Sequence, residues 1–235
     1  MRTVVIFDFD GPILDSFEEG LRRLGQVLLR YGIVLNDEAC LRIRALWGKP
    51  GRVMLQEALG ISVALSDAVY REWVELDNKV PPPLVRGARE TLERLSTDGA
   101  LLTMLTSRHH EELERPLRYH RLEEFFALIQ NADCGGFHKP DYRVFWWTFR
   151  MLASKLQGGE HIVFVGDTLA DLEAGVGADI DTVLVATGPH DPQFVCAHGS
   201  SEQVRSYFIR HPDRFLSSIK ELPRWLQRYT HAVPA

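Results

Sequence analysis

The apolar positions of this chain follow two alternating patterns. Continuous runs of strand length recur at 3–9 (TVVIFDF), 100–107 (ALLTMLTS), 125–130 (FFALIQ), 161–167 (HIVFVGD) and 181–187 (DTVLVAT). The later runs are separated by stretches whose apolar residues return every three or four positions, the period of a one-sided helix. In 86–99, Ala88, Leu92 and Leu95 share a face and Gly99 supplies a stop. The stretch 141–156 opens on Asp141, an N-cap residue just after Pro140, and ends near Gly158 and Gly159. A further helix at 168–179 follows its strand directly. Apolar strands interleaved with helices predict the α/β class, with a Rossmann-like, mostly parallel sheet covered on both faces.

The alternation is interrupted once. From 17 to 80 nothing reads as a strand, and helical patterns follow one another at 17–32, 36–48, 51–60 and 65–78. In the first, Leu21, Leu24, Leu28 and Tyr31 form a stripe. The PPPL at 81–84 predicts a stiff, extended return. Such an insert greatly exceeds an ordinary βα connection. We therefore expect a helical cap domain at 17–84 inserted into an α/β core of 1–16 and 85–235. Beyond Gly188 the pattern is irregular, with a short helix at 202–209, an edge strand at 214–218 and a closing helix at 219–229 that Pro223 starts or kinks.

Composition narrows the function classes. Lys plus Arg number 27 and Asp plus Glu 32, a formal charge of −5, which disfavours a nucleic-acid binder relying on a broad basic surface. Cys40, Cys134 and Cys196 are too few and too scattered for a disulfide framework and suit a reducing cytoplasm. No apolar run approaches membrane-spanning length, and the acidic start does not read as a signal peptide.

Chemistry-bearing residues gather at predicted strand ends: Asp8 and Asp10, Thr106 and Ser107, Lys139, and Asp167 with Asp171. Taken singly, these residues have plainer readings: a solvated carboxylate pair, a surface lysine, or a helix start capped by Asp167 with Asp171 favouring the dipole. Parallel sheets, however, bind ligands beyond the carboxyl ends of their strands, where these residues would meet. Two carboxylates ~4 Å apart repel by about 4 kcal/mol at an effective dielectric of 20. A hard divalent cation removes that repulsion, and Mg²⁺ pairs naturally with a phosphate. Lys139 would hold the phosphate or orient a carboxylate, and Thr106 or Ser107 would offer a hydroxyl and a backbone N–H to it. In the insert, the 47–52 loop (WGKPGR) offers Lys49 and Arg52 to an anionic substrate. Arg108, His109 and His110 read either as residues lining the entrance or as the start of a surface helix, the second being the plainer reading, and Trp146 and Trp147 as packing residues.

The segments 8–16 (DFDGPILDS), 105–108 (LTSR), 138–142 (HKPDY) and 165–171 (VGDTLAD), in this order, resemble the motifs of the haloacid dehalogenase (HAD) superfamily of hydrolases over roughly 3–188. The insert looks like the cap of the subgroup containing phosphoglycolate phosphatases and β-phosphoglucomutases. The resemblance implies hydrolysis of a small phosphorylated metabolite, with Asp8 forming an aspartyl-phosphate and Asp10 as acid and base. It implies Mg²⁺ held by the Asp8 side chain, the Asp10 carbonyl and Asp167, with Asp171 as a ligand or just behind one. Thr106 and Lys139 would bind the phosphoryl group. Asp10 also argues against carbon–halogen cleavage, whose family members lack that acid. A phosphomutase and a non-catalytic phospholigand-binding protein are the alternatives. Pro12 and His138 depart from the family pattern, and 189–212 matches no part of it.

Overall fold

All five long apolar runs become parallel strands, and a short sixth strand closes one edge. They are β1 (Thr3–Phe7), β2 (Leu101–Leu105), β3 (Leu128–Gln130), β4 (His161–Gly166), β5 (Asp181–Val185) and β6 (Phe215–Leu216), in the order β3-β2-β1-β4-β5-β6. The computed structural model describes residues 2–230; residue 1 and residues 231–235, the ends of the expected core, lie outside it. The helices are α1 (Phe17–Arg30), α2 (Asp37–Leu46), α3 (Gly51–Leu59), α4 (Val63–Lys79), α5 (Ala88–Thr97), α6 (His110–His120), α7 (Phe145–Leu152), α8 (Leu169–Gly177), α9 (Pro192–His198), α10 (Glu202–Arg205), α11 (Tyr207–Arg210) and α12 (Leu222–Thr230).

Strand β1 lies at the centre because it is apolar on both faces. Val5 and Phe7 join a cluster with Leu92, Leu117 and Trp225 of α5, α6 and α12, whereas Val4 and Ile6 pack on the other face with Phe145 and Ala174 of α7 and α8. Its neighbours β2 and β4 begin opposite branches of the strand order, which makes this the point where an open parallel sheet forms a crevice. Phe7 pairs with both Met104 and Val165, so the chain leaves all three strands at one level.

Helices α1 to α4 follow β1 and bury their own cluster, including Leu24, Leu28, Ile43, Leu55, Val69 and Trp73. The α1 stripe is rotated from the expected one. Phe17, Gly20, Leu24, Val27 and Leu28 are buried, whereas Tyr31 lies beyond the helix end and is 37% exposed. The segments entering and leaving these helices pair antiparallel: Asp15 N–H donates to the Pro83 carbonyl and Val85 N–H to the Ile13 carbonyl, both at 2.8 Å.

Three local expectations change. Residues 202–209 form two short helices rather than one, because Ser206 ends the first and precedes the second. The 189–212 segment is largely helical, and α9 has an ordinary start: Asp191 accepts from Phe194 N–H, with Pro192 in the first turn. Thr168, not Asp167, caps α8.

Candidate active site

Strand β1 ends before the two aspartates, so strand alternation does not orient them. Asp8 follows Phe7 directly and is anchored by its N–H to the Val165 carbonyl at 2.8 Å. Asp10 lies past Phe9, where Gly11 turns the chain with φ of +85°. In that turn Gly11 N–H donates to Leu14, and Ile13 and Leu14 N–H both donate to Phe9. Pro12 leaves all three bonds intact, which explains why proline is tolerated there. Both aspartates nevertheless line one cleft, together with Asp167 and Thr168 from the β4–α8 junction.

Lys139 is buried and its ammonium joins two carboxylates, Asp8 at 2.8 Å and Asp171 at 2.6 Å. Burial lowers its proton affinity, but Asp171 and Asp8 outweigh that and hold it firmly protonated. Asp171 has both oxygens engaged: one meets Lys139, and the other accepts from Thr168 Oγ1 at 2.6 Å and from the Asp167 and Thr168 amides. This carboxylate closes the capping box of α8 and positions the lysine.

Asp167 is different. It is 1% exposed, and neither carboxylate oxygen has a hydrogen-bond partner among the described residues. Oxygens of Asp8, Asp167 and Asp171 lie within 4.8 Å of one another. Burial, then Asp171 and Asp8, push the Asp167 carboxyl well above the ordinary range. Burial likewise raises Asp8 to about 7, despite Lys139. A buried carboxylate without a donor is costly, and the oxygen-only donor set suits a hard divalent cation. Gly11 and Gly188 enclose the same carboxylate, since a Cβ on either would fall within about 2 Å of it.

Asp10 points to Arg108. The guanidinium grips both carboxylate oxygens at 2.8 Å and lies 3.6 Å from Asp77 of α4. Burial pushes Asp10 up, but Arg108 outweighs it and holds the carboxyl below its usual value. Arg108 is therefore a site residue, and the surface-helix reading does not hold for it. The sequence signal was available: a cation directly after Thr106 and Ser107, at a strand end opposite a D-x-D pair.

The other candidates are placed as follows. Thr106 is buried; its N–H donates to Gln130 and its hydroxyl accepts from Arg108 N–H at 3.2 Å. Ser107 lines the cleft and donates to the Gly48 carbonyl at 3.0 Å. Lys49 also lines it but pairs with Glu57 at 2.7 Å. Arg52 pairs with Asp67 at 3.2 Å, lies over the Tyr70 ring and is not a lining residue. His138 is exposed, and Trp146 is exposed with Trp147 half-buried. Sequence reasoning missed Tyr70, Trp73, Asp77 and Glu112, which also line the cleft; on their helices they read as ordinary amphipathic positions.

The family model of the haloacid dehalogenase-like hydrolases matches residues 5–185. The chain belongs to this family. It is 28% identical over 200 residues to a phosphoglycolate phosphatase of Mesorhizobium japonicum, covering 81% of this chain and 85% of the relative. A phosphoglycolate phosphatase of Aquifex aeolicus is 29% identical over 195 residues, covering 79% and 85%. In fold, the chain resembles the crystal structure of a hydrolase from Pseudomonas syringae, with TM-score 0.74 and 20% identity over 97% of this chain and 99% of the other. The chain is thus an HAD-like phosphatase by class, within the subgroup that its motifs implied. This sets aside the non-catalytic alternative.

Proposed function

We propose that this enzyme hydrolyses a small phosphate monoester with the help of Mg²⁺, in two steps through an aspartyl-phosphate on Asp8. The observation that carries the reading is the buried Asp167 carboxylate, unpartnered among the described residues and beside Asp8. Asp8 and Asp167 would hold Mg²⁺ with their side chains and Asp10 with its carbonyl, while Asp171 stands behind them. When bound, the ion would supply positive charge to the phosphoryl oxygens and the crowded carboxylates.

Asp8 would attack phosphorus as the ester P–O bond breaks. Its second oxygen accepts the Phe9 N–H at 2.7 Å, and Lys139 fixes the first, so the carboxylate is held for attack. Lys139 and the Thr106 hydroxyl would bind the transferred group. Asp10 would protonate the leaving oxygen, then take a proton from the water that releases phosphate from Asp8. Arg108 holds Asp10 in its base form, as the second step needs; proton donation in the first requires Asp10 to leave Arg108. We further propose that α1 to α4 with their linkers, 17–84, act as a cap over a core of 1–16 and 85–235, in the cytoplasm.

The test is release of phosphate from p-nitrophenyl phosphate with and without Mg²⁺. Asp8→Asn is expected to lower kcat at least about 10³-fold, the scale of losing a nucleophile. Retained turnover in that variant would overturn the assignment.

A further inference from the structure

One end of the cleft is not used by the chemistry at Asp8. Trp47, Tyr70 and Trp73 form its wall, with Trp73 centred 5.9 Å from Trp47 and 6.0 Å from Tyr70. Asp77 of α4 and Glu112 of α6 border the same space. Glu112 is 2% exposed and has a neutral principal partner: the Tyr70 hydroxyl lies 2.7 and 2.8 Å from its two oxygens. The His109 amide donates to it at 3.3 Å.

The charges there do not balance. Asp10, Asp77, Glu19 and Glu112 gather about Arg108, Arg23 and Arg22, four negative groups against three positive, and Glu112 is the one with no ion pair among the described residues. Lys49 does not correct this, because it is paired with Glu57, and Arg52 is paired with Asp67. Burial raises the carboxyls of both Glu112 and Asp77 above their ordinary range, against the pull of Arg108 on each. Trp73 is buried, and its indole Nε1 has no acceptor among the described residues. A carboxylate entering here would add to the negative excess. An ammonium would cancel it and rest against aromatic rings, which attract cations.

We propose that the leaving portion of the substrate carries an ammonium group: the substrate class is an aminoalkyl phosphate, its phosphoryl end at Asp8 and its amine toward Glu112 and Asp77. The phosphoryl end rests on the phosphatase reading above, whereas the amine end rests on this aromatic and acidic half of the cleft. Phosphoglycolate, with its carboxylate on the leaving side, is the opposite case.

Binding decides this without turnover. Calorimetry on the full chain with Mg²⁺ would compare aminopropyl phosphonate with phosphonopropionate, inert esters' analogues that differ in an ammonium against a carboxylate. The ammonium compound is expected to bind about tenfold tighter or more, and Glu112→Gln to reduce that ratio to about threefold or less. Equal or tighter binding of phosphonopropionate, binding of neither compound, or an unchanged ratio in a folded Glu112→Gln protein overturns the proposal. The wild-type comparison stands if that variant fails to fold. Preferential ammonium binding without hydrolysis of any ester would contradict the phosphatase reading alone; hydrolysis with a carboxylate preference would contradict this proposal alone.

Discussion

Lys139 lies between Asp8 and Asp171, and Asp167 lies beside them with no donor of its own among the described residues. That asymmetry separates the roles of four nearby aspartates. Asp171 is fully hydrogen-bonded and positions its neighbours; Asp10 is gripped by Arg108; only Asp167 lacks a donor. Gly188 makes room for it, since a Cβ there would lie 2.0 Å from its Oδ2. Gly188→Ala is therefore expected to displace Asp167 and to remove most of the rise in Tm that Mg²⁺ gives the wild-type protein. Unchanged circular dichroism would show that the fold survives, and an undiminished Mg²⁺ effect would contradict the cation site. Asp8, Asp10, Asp167 and Asp171 were legible in the sequence because each follows an apolar strand run or lies at a helix start, whereas Lys139, expected at a strand end, lies in the loop nine residues beyond the end of β3. Glu112 and Asp77 were not, because one acid on an amphipathic helix looks like any other until tertiary contacts bury it.

At the level of elements, several polar contacts join the inserted helices to the sheet. Ser107 donates to the Gly48 carbonyl, Tyr70 to Glu112, and Arg108 approaches Asp77. His190 forms another: its Nδ1 accepts from Leu169 N–H at 2.8 Å, and Nε2 donates to the Arg44 carbonyl at 2.7 Å. The Leu169 bond requires the neutral ring, and burial lowers its pKa to about 4. The unfolded chain takes up this proton near 6.5, so the contribution is present above 6.5 and is lost as pH falls from there to about 4. At 1.36 kcal/mol per unit, it amounts to about 3 kcal/mol at most. Denaturant titration of His190→Asn should show a lower stability than wild type at pH 7 and a flatter dependence between pH 4 and 6.5; an unchanged slope would contradict the strut. The strands and most helices were readable from period alone. The α1 stripe shifted because packing against α4 and Trp47, not the most regular spacing, selects the buried face. Helix α9 was missed although Asp191 and Pro192 carry a standard start signal, because seven residues are too few to show a period.

Across the whole molecule, a parallel sheet brings the ends of β1, β2 and β4 to one level, and the inserted helices cover that place. The order of strands, absent from the local sequence, is what makes residues 8, 106, 139 and 167 neighbours. Arg108 shows the same dependence, since its partner Asp10 lies 98 positions away. In the proposed reaction this convergence serves one covalent step at Asp8. Acid quenching during turnover of p-nitrophenyl phosphate with Mg²⁺, followed by peptide mass mapping, tests it directly. The expected result is one added phosphoryl group on Asp8, absent when Mg²⁺ is removed. A phosphoryl group on another residue, or turnover with none on Asp8, would contradict it.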